Sequence, residues 1–364
     1  MLSNEIVKSY IETLKDMVEI DVIYGSKDDV LLRGNIVAPF KPSKTEIANK
    51  IAFLPGKAEV LVTEPRVVVR VRPPGEVETK KIPWLNIILF LLTLALTLIA
   101  GAGYAGLDFI RNPEMFWQDP LRIIIAGMPF SFSLMGILLF HEFGHYIASR
   151  LHGVKVTYPY FLPFPNPLGT MGAFIRLKSP FINRKQLLDV GAAGPLAGML
   201  IAIPVVIWGF AHPTFISETS DMVGVFYLGD SLLLTAIINL VQPAAPDGFI
   251  TVMHPAAFAG WVGFFVTMLN LLPIGQLDGG HIVYAMFGKH QVKITYVIMI
   301  AMAALSFWWL GWLIWIFLGF ILVKVKHPPT MLDEIPLDKK RLVIGYFCLL
   351  LFILCFIPVP FLEP

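Results

Sequence analysis

The sequence predicts an α-helical polytopic membrane protein with six or seven transmembrane helices, a small N-terminal α+β soluble domain and a membrane-associated β-hairpin. Hydrophobic residues make up 56% of the chain and charged residues only 15%, whereas soluble proteins have roughly 25% charged residues. Several charge-free stretches are long enough to cross about 30 Å of hydrocarbon. This composition leads us to expect the lipid bilayer as the main environment of the protein. The net charge of +2 gives no sign of a nucleic-acid partner.

Residues 1–83 are predicted to form the soluble domain and its linker. Residues 3–17 have the apolar spacing of a helix, with Ser3 as its cap. β-branched residues separated by Gly, Pro and charged residues predict strands at 20–24, 30–37, 58–62 and 67–71, with a fifth at 51–54. Residues 73–81 form the linker. No residue here points to catalysis, so we expect a packing or substrate-filtering domain.

Residues 84–364 form the predicted transmembrane domain. Its spans are expected in the charge-free stretches 82–107, 123–140, 190–217, 255–277, 294–323 and 342–362. The fifth stretch has four tryptophans near its middle, where interfacial aromatics would lie at a hairpin turn. It is therefore either one long tilted helix or two short ones.

The positions of Lys and Arg predict the orientation of the spans. The loop after the third span contains Glu218 and Asp221 but no Lys or Arg, as expected for an outside loop. The second and fourth spans then both run inward, and their ends lie at the cytoplasmic face. Basic residues before the first span place the N-terminal domain on that side too: Arg66, Arg70, Arg72, Lys80 and Lys81.

Two segments between the spans are not predicted to be plain spans, and the start of the third span is rich in small residues. Residues 156–181 are rich in Pro, Phe and Tyr and alternate over 169–177, which predicts a β-hairpin or an edge strand at the membrane surface. Residues 226–241 are apolar but short, so we expect an interfacial or re-entrant segment. The small residues of 191–198 favour close helix packing, and packing explains them without any chemistry.

The sequence His141-Glu142-Phe143-Gly144-His145 ends the second apolar stretch. Two histidines four residues apart lie on one face of a helix, so both imidazoles can bind one zinc ion while Glu142 acts on a water. The alternative is a helix-end cluster that merely reaches water. A charged group at depth beside an apolar span costs on the order of 2–3 kcal/mol, which favours a functional site.

A second motif, residues 270–281, closes the fourth span. Pro273 and three glycines prevent a regular helix there. Alone, Asp278 would be a solvated capping residue, but the predicted orientation puts it at the same face and depth as the two histidines. Two histidines and a carboxylate leave a fourth position open for water, as in catalytic zinc sites. His281 is either a neighbour of this site or a surface histidine.

These motifs resemble the site-2 proteases, intramembrane zinc metalloproteases that cut the transmembrane helices of other proteins. That family has HExxH on one transmembrane helix and an LDG-type motif on a later one, matched here at 141–145 and 277–279. The resemblance covers residues 120–290 well. Four stretches are similar to the archaeal and chloroplast branch, which has no PDZ domain: 169–180, 192–198, 270–281 and 356–361.

The resemblance implies that His141, His145 and Asp278 bind Zn²⁺ and that Glu142 is the catalytic base. It also implies that Asn270 hydrogen-bonds the substrate or the oxyanion, although an interhelical hydrogen bond is the alternative.

The implied partners are transmembrane protein substrates that pair with residues 169–176. We expect a multi-pass integral protein of a prokaryotic cell membrane, with its active site toward the cytoplasm. A metal- or proton-coupled transporter is the alternative function. The lack of ionisable residues midway through the other spans counts against it.

Overall fold

The computed structural model describes residues 2–26, 29–39, 41–73, 82–107, 109, 112–217 and 227–362. Within these ranges the chain is mostly helical, with short antiparallel strand pairs between the helices. Residues 74–81 of the predicted linker lie outside the described residues, as do Glu218 and Asp221 of the predicted outside loop.

The N-terminal elements are two helices and an antiparallel four-stranded sheet with the strand order β1-β2-β4-β3. They share one hydrophobic cluster, in which Tyr10, Leu14 and Ile47 are fully buried. The elements are α1 (Asn4–Leu14), β1 (Val18–Ser26), β2 (Asp29–Ile36), α2 (Lys44–Ile51), β3 (Lys57–Thr63) and β4 (Arg66–Arg72).

The predicted fifth strand at 51–54 is wrong, because Ile51 is the last residue of α2 and a turn follows it. The signal for this helix is a capping box. Ser43 Oγ accepts a hydrogen bond from the Glu46 backbone N–H at 3.2 Å, and the Glu46 carboxylate accepts one from the Ser43 backbone N–H at 2.6 Å. A Ser-x-x-Glu pattern of this kind predicts a helix start even when few apolar residues follow.

Within the described part of the chain, three helices are long and apolar enough to cross a membrane: α3 (Trp84–Tyr104), α5 (Pro120–Leu151) and α6 (Arg184–Ala211). A short α4 (Met115–Gln118) precedes α5. Side chains cap the N-termini of α5 and α6. Asp119 accepts a hydrogen bond from the Arg122 N–H at 3.1 Å, and Asn183 accepts one from the Gln186 N–H at 3.0 Å. These helices are compatible, by length and composition, with a membrane protein.

The other predicted spans contain shorter helices, so the prediction of six or seven full spans is not confirmed. The fifth predicted span is broken near Trp308 and Trp309 into two short helices. The segment predicted to be interfacial or re-entrant contains a ten-residue helix. The helices that follow α6 are α7 (Leu232–Val241), α8 (Pro255–Asn270), α9 (Asp278–Phe287), α10 (Gln291–Leu305), α11 (Gly311–Leu318) and α12 (Lys339–Cys355).

Helix α5 lies at the centre of the bundle and packs against α3, α6 and α8. Its crossing with α3 is very close, because a Cβ atom at Gly127 would lie 2.1 Å from the Leu98 carbonyl oxygen. Next to this crossing, the Thr97 and Ser131 hydroxyls share a buried hydrogen bond of 2.6 Å. Small residues at a helix crossing allow such close backbone packing in a membrane.

A strand pair follows α5 along the chain and precedes α6. Strands β5 (Tyr160–Pro163) and β6 (Thr170–Phe174) are antiparallel, with Tyr160 opposite Phe174. The Asn166 side chain orders the turn, since its Oδ1 accepts hydrogen bonds from the backbone N–H groups of Leu168 and Thr170. Strand β6 coincides with the strand predicted at 169–176, and among the described residues its other edge has no strand partner.

Two further antiparallel strand pairs occur in the second half of the chain. They are β7 (Thr214–Ser217) with β9 (Phe249–Val252), and β8 (Tyr227–Leu228) with β10 (Phe361–Leu362).

Replacing Gly127 by Ala should destabilise the bundle. The added methyl group would meet the Leu98 carbonyl oxygen, so α3 and α5 must separate, and we expect a loss of about 1–3 kcal/mol. Thermal unfolding in detergent measures the effect. Gly136→Ala on the same helix is the control, because its Cβ would lie 3.8 Å from Ile201, an ordinary contact. Equal melting temperatures for the two variants would contradict the close crossing.

Candidate metal centre

Three side chains that are far apart in the sequence converge on one point inside the bundle. The Nε2 atoms of His141 and His145 are 3.1 Å apart, and each lies 3.3 Å from Asp278 Oδ2. Both histidines are buried, with 6% and 7% of their surface exposed, and the Asp278 side chain is 15% exposed. Since each residue directs one ligand atom to the same place, the group can hold a metal ion.

The shape of this triangle fits a small tetrahedral ion. Zinc–nitrogen and zinc–oxygen bonds of about 2.0–2.2 Å place neighbouring ligands of a tetrahedron roughly 3.3–3.5 Å apart. The three observed edges, 3.1, 3.3 and 3.3 Å, are close to that length. The donor chemistry agrees, because imidazole nitrogen and carboxylate oxygen are the ligands of hydrolytic zinc sites.

Helix α5 supplies both histidines, one turn apart on the same face. The His145 ring is oriented by its other nitrogen, since Nδ1–H donates to the Val190 carbonyl oxygen at 2.7 Å. This bond leaves Nε2 unprotonated and directed at the other two ligand atoms. Gly194 on α6 provides the room, because a Cβ atom there would lie only 2.1 Å from His145 Nε2.

The closeness of Gly194 changes the interpretation of the 191–198 stretch. The sequence suggests helix packing alone for these small residues. In the structure Gly194 packs against the His145 imidazole itself, and a Cβ at Gly198 would come 3.2 Å from the His141 Cβ. The small residues of α6 therefore form part of the wall of the metal centre.

Asp278 is the first residue of α9 and follows an irregular segment. This segment leaves backbone groups without helical partners, and neighbouring helices satisfy them. The Pro273 carbonyl oxygen accepts a hydrogen bond of 2.6 Å from Thr295 Oγ1 on α10, and Thr295 Oγ1 also accepts one from Gln291 Nε2 at 2.7 Å. Irregular backbone at membrane depth is stable only when such internal partners exist.

Glu142 and Asn270 complete the set of predicted site residues. Glu142 is buried, with 6% of its surface exposed, and it does not belong to the triangle of ligand atoms. Its carboxylate interacts with the backbone of Ile175, which directly follows β6. Asn270 ends α8 and places its Nδ2 3.3 Å from His141 Nε2. The structure thus brings all of the predicted site residues to one place.

His281 is not a free surface histidine. Its Nδ1 lies 2.7 Å from Nε2 of His327, whose own Nδ1–H donates to the Pro328 carbonyl oxygen at 2.5 Å. Burial lowers the pKa of His327 to about 4, so this ring is neutral at pH 7 and its Nε2 accepts from His281 Nδ1–H. The pair therefore ties α9 to the segment before α12.

Sequence reasoning missed this role of His327. The residue lies 46 positions from its partner His281, and it belongs to no motif. Its isolated position in a basic stretch carries no signal of burial.

Comparison with known proteins identifies similar chains. A family model described as peptidase family M50 matches residues 129–309. The probable zinc metalloprotease EGY1, chloroplastic, of Arabidopsis thaliana is 33% identical over 222 residues, which are 57% of this chain and 40% of the relative. The probable zinc metalloprotease EGY2, chloroplastic, of Oryza sativa subsp. indica is 27% identical over 387 aligned positions, covering 99% of this chain and 68% of the relative.

The chain spans only part of the length of these relatives. The chain spans well under two thirds of the EGY1 relative, and it spans 59% of the EGY2 protein of Arabidopsis thaliana, which is 28% identical to it. The relatives are chloroplastic by name, which points against the prokaryotic cell membrane that the sequence predicted.

Replacing Gly194 by Ala should disable the metal centre while leaving the bundle folded. The methyl group would overlap the His145 imidazole, so the ring must move off the ligand triangle. We expect metal affinity to fall by at least roughly tenfold. Metal analysis after competition with a chelator measures this, and Gly136→Ala on α5 serves as the control. Wild-type zinc affinity in Gly194→Ala would show that the observed ring position is not the one that binds metal.

Proposed function

Because the chain belongs to peptidase family M50, the site-2 protease family, we propose that it is a zinc metalloprotease. It would hydrolyse peptide bonds within or near the transmembrane helices of other membrane proteins. The observation that carries this proposal is the buried convergence of His141, His145 and Asp278 beside Glu142. The alternative of a metal- or proton-coupled transporter is not favoured, since the similar chains are named zinc metalloproteases.

His141, His145 and Asp278 are the proposed zinc ligands. A zinc ion held there would supply Lewis-acid chemistry, since such an ion lowers the pKa of a coordinated water to near 7 and polarises a carbonyl group. His145 keeps its ligand nitrogen free through the bond to Val190. Asp278 would contribute negative charge that balances part of the charge of the ion, and the bundle buries both histidines.

Glu142 is the proposed general base. It accepts the proton of the attacking water and later gives that proton to the leaving amine. The backbone of Ile175 interacts with the carboxylate and can orient it. Asn270 carries a side-chain amide donor beside His141, where it can donate to the oxyanion that develops on the scissile carbonyl.

The proposed substrates are transmembrane helices of other proteins, which must unwind before cleavage. A helix hides each carbonyl in its hydrogen-bond ladder, so only an extended segment can present one to the metal centre. Strand β6 offers an unpaired edge among the described residues, and Ile175 at its end interacts with Glu142. Strand addition along β6 would hold the extended segment next to the base.

The proposed organisation is a soluble domain and linker, residues 1–83, followed by a transmembrane protease domain, residues 84–364. The N-terminal elements contact Gly153, just beyond the α5 end that carries the histidines. This contact supports an orientation in which the metal centre opens toward the side of the membrane that carries the N-terminal domain.

Glu142→Gln should abolish cleavage and leave the metal in place. Glutamine has nearly the same shape but cannot accept the proton, and general bases typically contribute roughly 100–10,000-fold to rate. Cleavage of a model transmembrane substrate and zinc content per chain are measured together, with Glu12→Gln on the exposed face of α1 as the matched control. Turnover within a few-fold of wild type would contradict the assignment of Glu142.

Asp278→Ala and His281→Ala should differ sharply. Asp278 lies in the ligand triangle, whereas His281 is bonded to His327. We expect Asp278→Ala to lose zinc affinity and activity by orders of magnitude. His281→Ala should keep its zinc and lose at most the roughly 10–100-fold that is typical of residues behind the ligands. Zinc retained in Asp278→Ala but lost from His281→Ala after mild chelation would show that the third ligand is wrong.

A further inference from the structure

A buried ion pair joins two strands of the N-terminal sheet. Arg70 on β4 donates to both carboxylate oxygens of Asp29 on β2, with distances of 2.9 Å from Nε and 2.5 Å from Nη2. The two residues are 5% and 4% exposed, so water hardly reaches them. A buried pair with this geometry is rigid, and each partner is costly to remove.

Arg70 also reaches out of the N-terminal domain. Its Nη2 donates to the Gly153 carbonyl oxygen at 2.7 Å. Gly153 has a φ of +65° and lies two residues after the end of α5, the helix that carries both histidines. One guanidinium therefore holds the domain's own carboxylate and the first residues after the metal-binding helix.

The residues after Gly153 form the base of the β5–β6 hairpin. Here two chain segments pair in antiparallel fashion, a region that we call the stem (residues 153–157 and 176–179). The Lys178 N–H donates to the Lys155 carbonyl oxygen at 2.8 Å, and the Thr157 N–H donates to the Arg176 carbonyl oxygen at 3.0 Å. The Lys155 N–H donates to Ser179 Oγ at 3.0 Å.

The stem leads directly to the metal centre. Arg176 in the stem is preceded in the chain by Ile175, whose backbone interacts with Glu142, and Ile175 directly follows β6. A two-stranded hairpin is only marginally stable by itself. Its position relative to Glu142 therefore depends on what fixes its base, and Arg70 contacts that base.

We propose that Arg70 is a positioning residue for the substrate-binding strand, through which the N-terminal domain sets the place of β6 relative to Glu142. This inference rests on the proposed proteolysis, because it assigns β6 to the substrate. It gives the N-terminal domain a part in substrate binding although none of its described residues reaches the metal centre. Loss of the Gly153 contact should loosen the stem and weaken the binding of the extended substrate segment, while the zinc ligands stay in place.

The variant that tests this proposal in the full-length chain is Arg70→Lys. A lysine ammonium can still pair with Asp29 inside the domain, but it lacks the fork that bonds Asp29 and Gly153 together. Hydrogen exchange of the stem amides, at Thr157, Arg176 and Lys178, is the main readout. We expect these amides to exchange roughly tenfold to a hundredfold faster, since one hydrogen bond from a charged donor is lost. In cleavage assays KM should rise while kcat and zinc content stay near wild type.

Two controls separate this coupling from general stability. Arg66→Lys makes the same change on the same strand, at a residue whose Nη1 bonds Glu334 at 3.2 Å and does not contact the stem. Val60→Ala weakens the core of the N-terminal sheet, where Val60 is 2% exposed, without touching Arg70. Both should leave the exchange of the stem amides unchanged.

The outcomes distinguish this inference from the proposed function. Stem exchange at the wild-type rate in Arg70→Lys would overturn the coupling, and so would equal loosening of the stem in Val60→Ala. The exchange measurement needs no catalysis. A loosened stem in a protein that never cleaves a substrate would leave the coupling standing and contradict the proteolysis.

Discussion

A carboxylate and two imidazoles share one small space inside a bundle of apolar helices, and the surrounding structure depends on this constraint. An unpaired charge in such an interior costs several kcal/mol, so a buried carboxylate needs a cation or a proton close to it. The arrangement of His141, His145 and Asp278 is stable when a cation balances it. Its ligand atoms already stand at the spacing that a zinc ion would need.

This constraint explains the irregular features of the neighbouring helices. The ring of His145 fits only because α6 has no side chain at Gly194. Asp278 reaches the histidines because the chain breaks between α8 and α9, and the break is tolerated because Thr295 satisfies the Pro273 carbonyl group. The break also ends α8 at Asn270, so its amide lies beside the ligands. Each departure from regular helix thus places a polar group at the centre.

Local sequence patterns predicted the parts of the site that a single helix or turn defines. The i, i+4 spacing placed His141 and His145 on one face of α5, and the broken motif pointed to Asp278. Contacts between distant segments could not be predicted in this way. The glycine spacing of α6 does not reveal that Gly194 faces an imidazole, and nothing near His327 indicates that it bonds His281. Span counting was less successful, because hydrophobic length alone cannot detect breaks in a helix, such as the one that ends α8 after 16 residues.

The measurement that tests the central claim most directly is zinc K-edge X-ray absorption on the purified full-length protein. The arrangement of His141, His145 and Asp278 predicts a four-coordinate shell of nitrogen and oxygen atoms at about 2.0–2.1 Å, with outer-shell scattering from two imidazole rings. Sulfur at about 2.3 Å, or a shell with no imidazole signal, would contradict a zinc site made of these three residues.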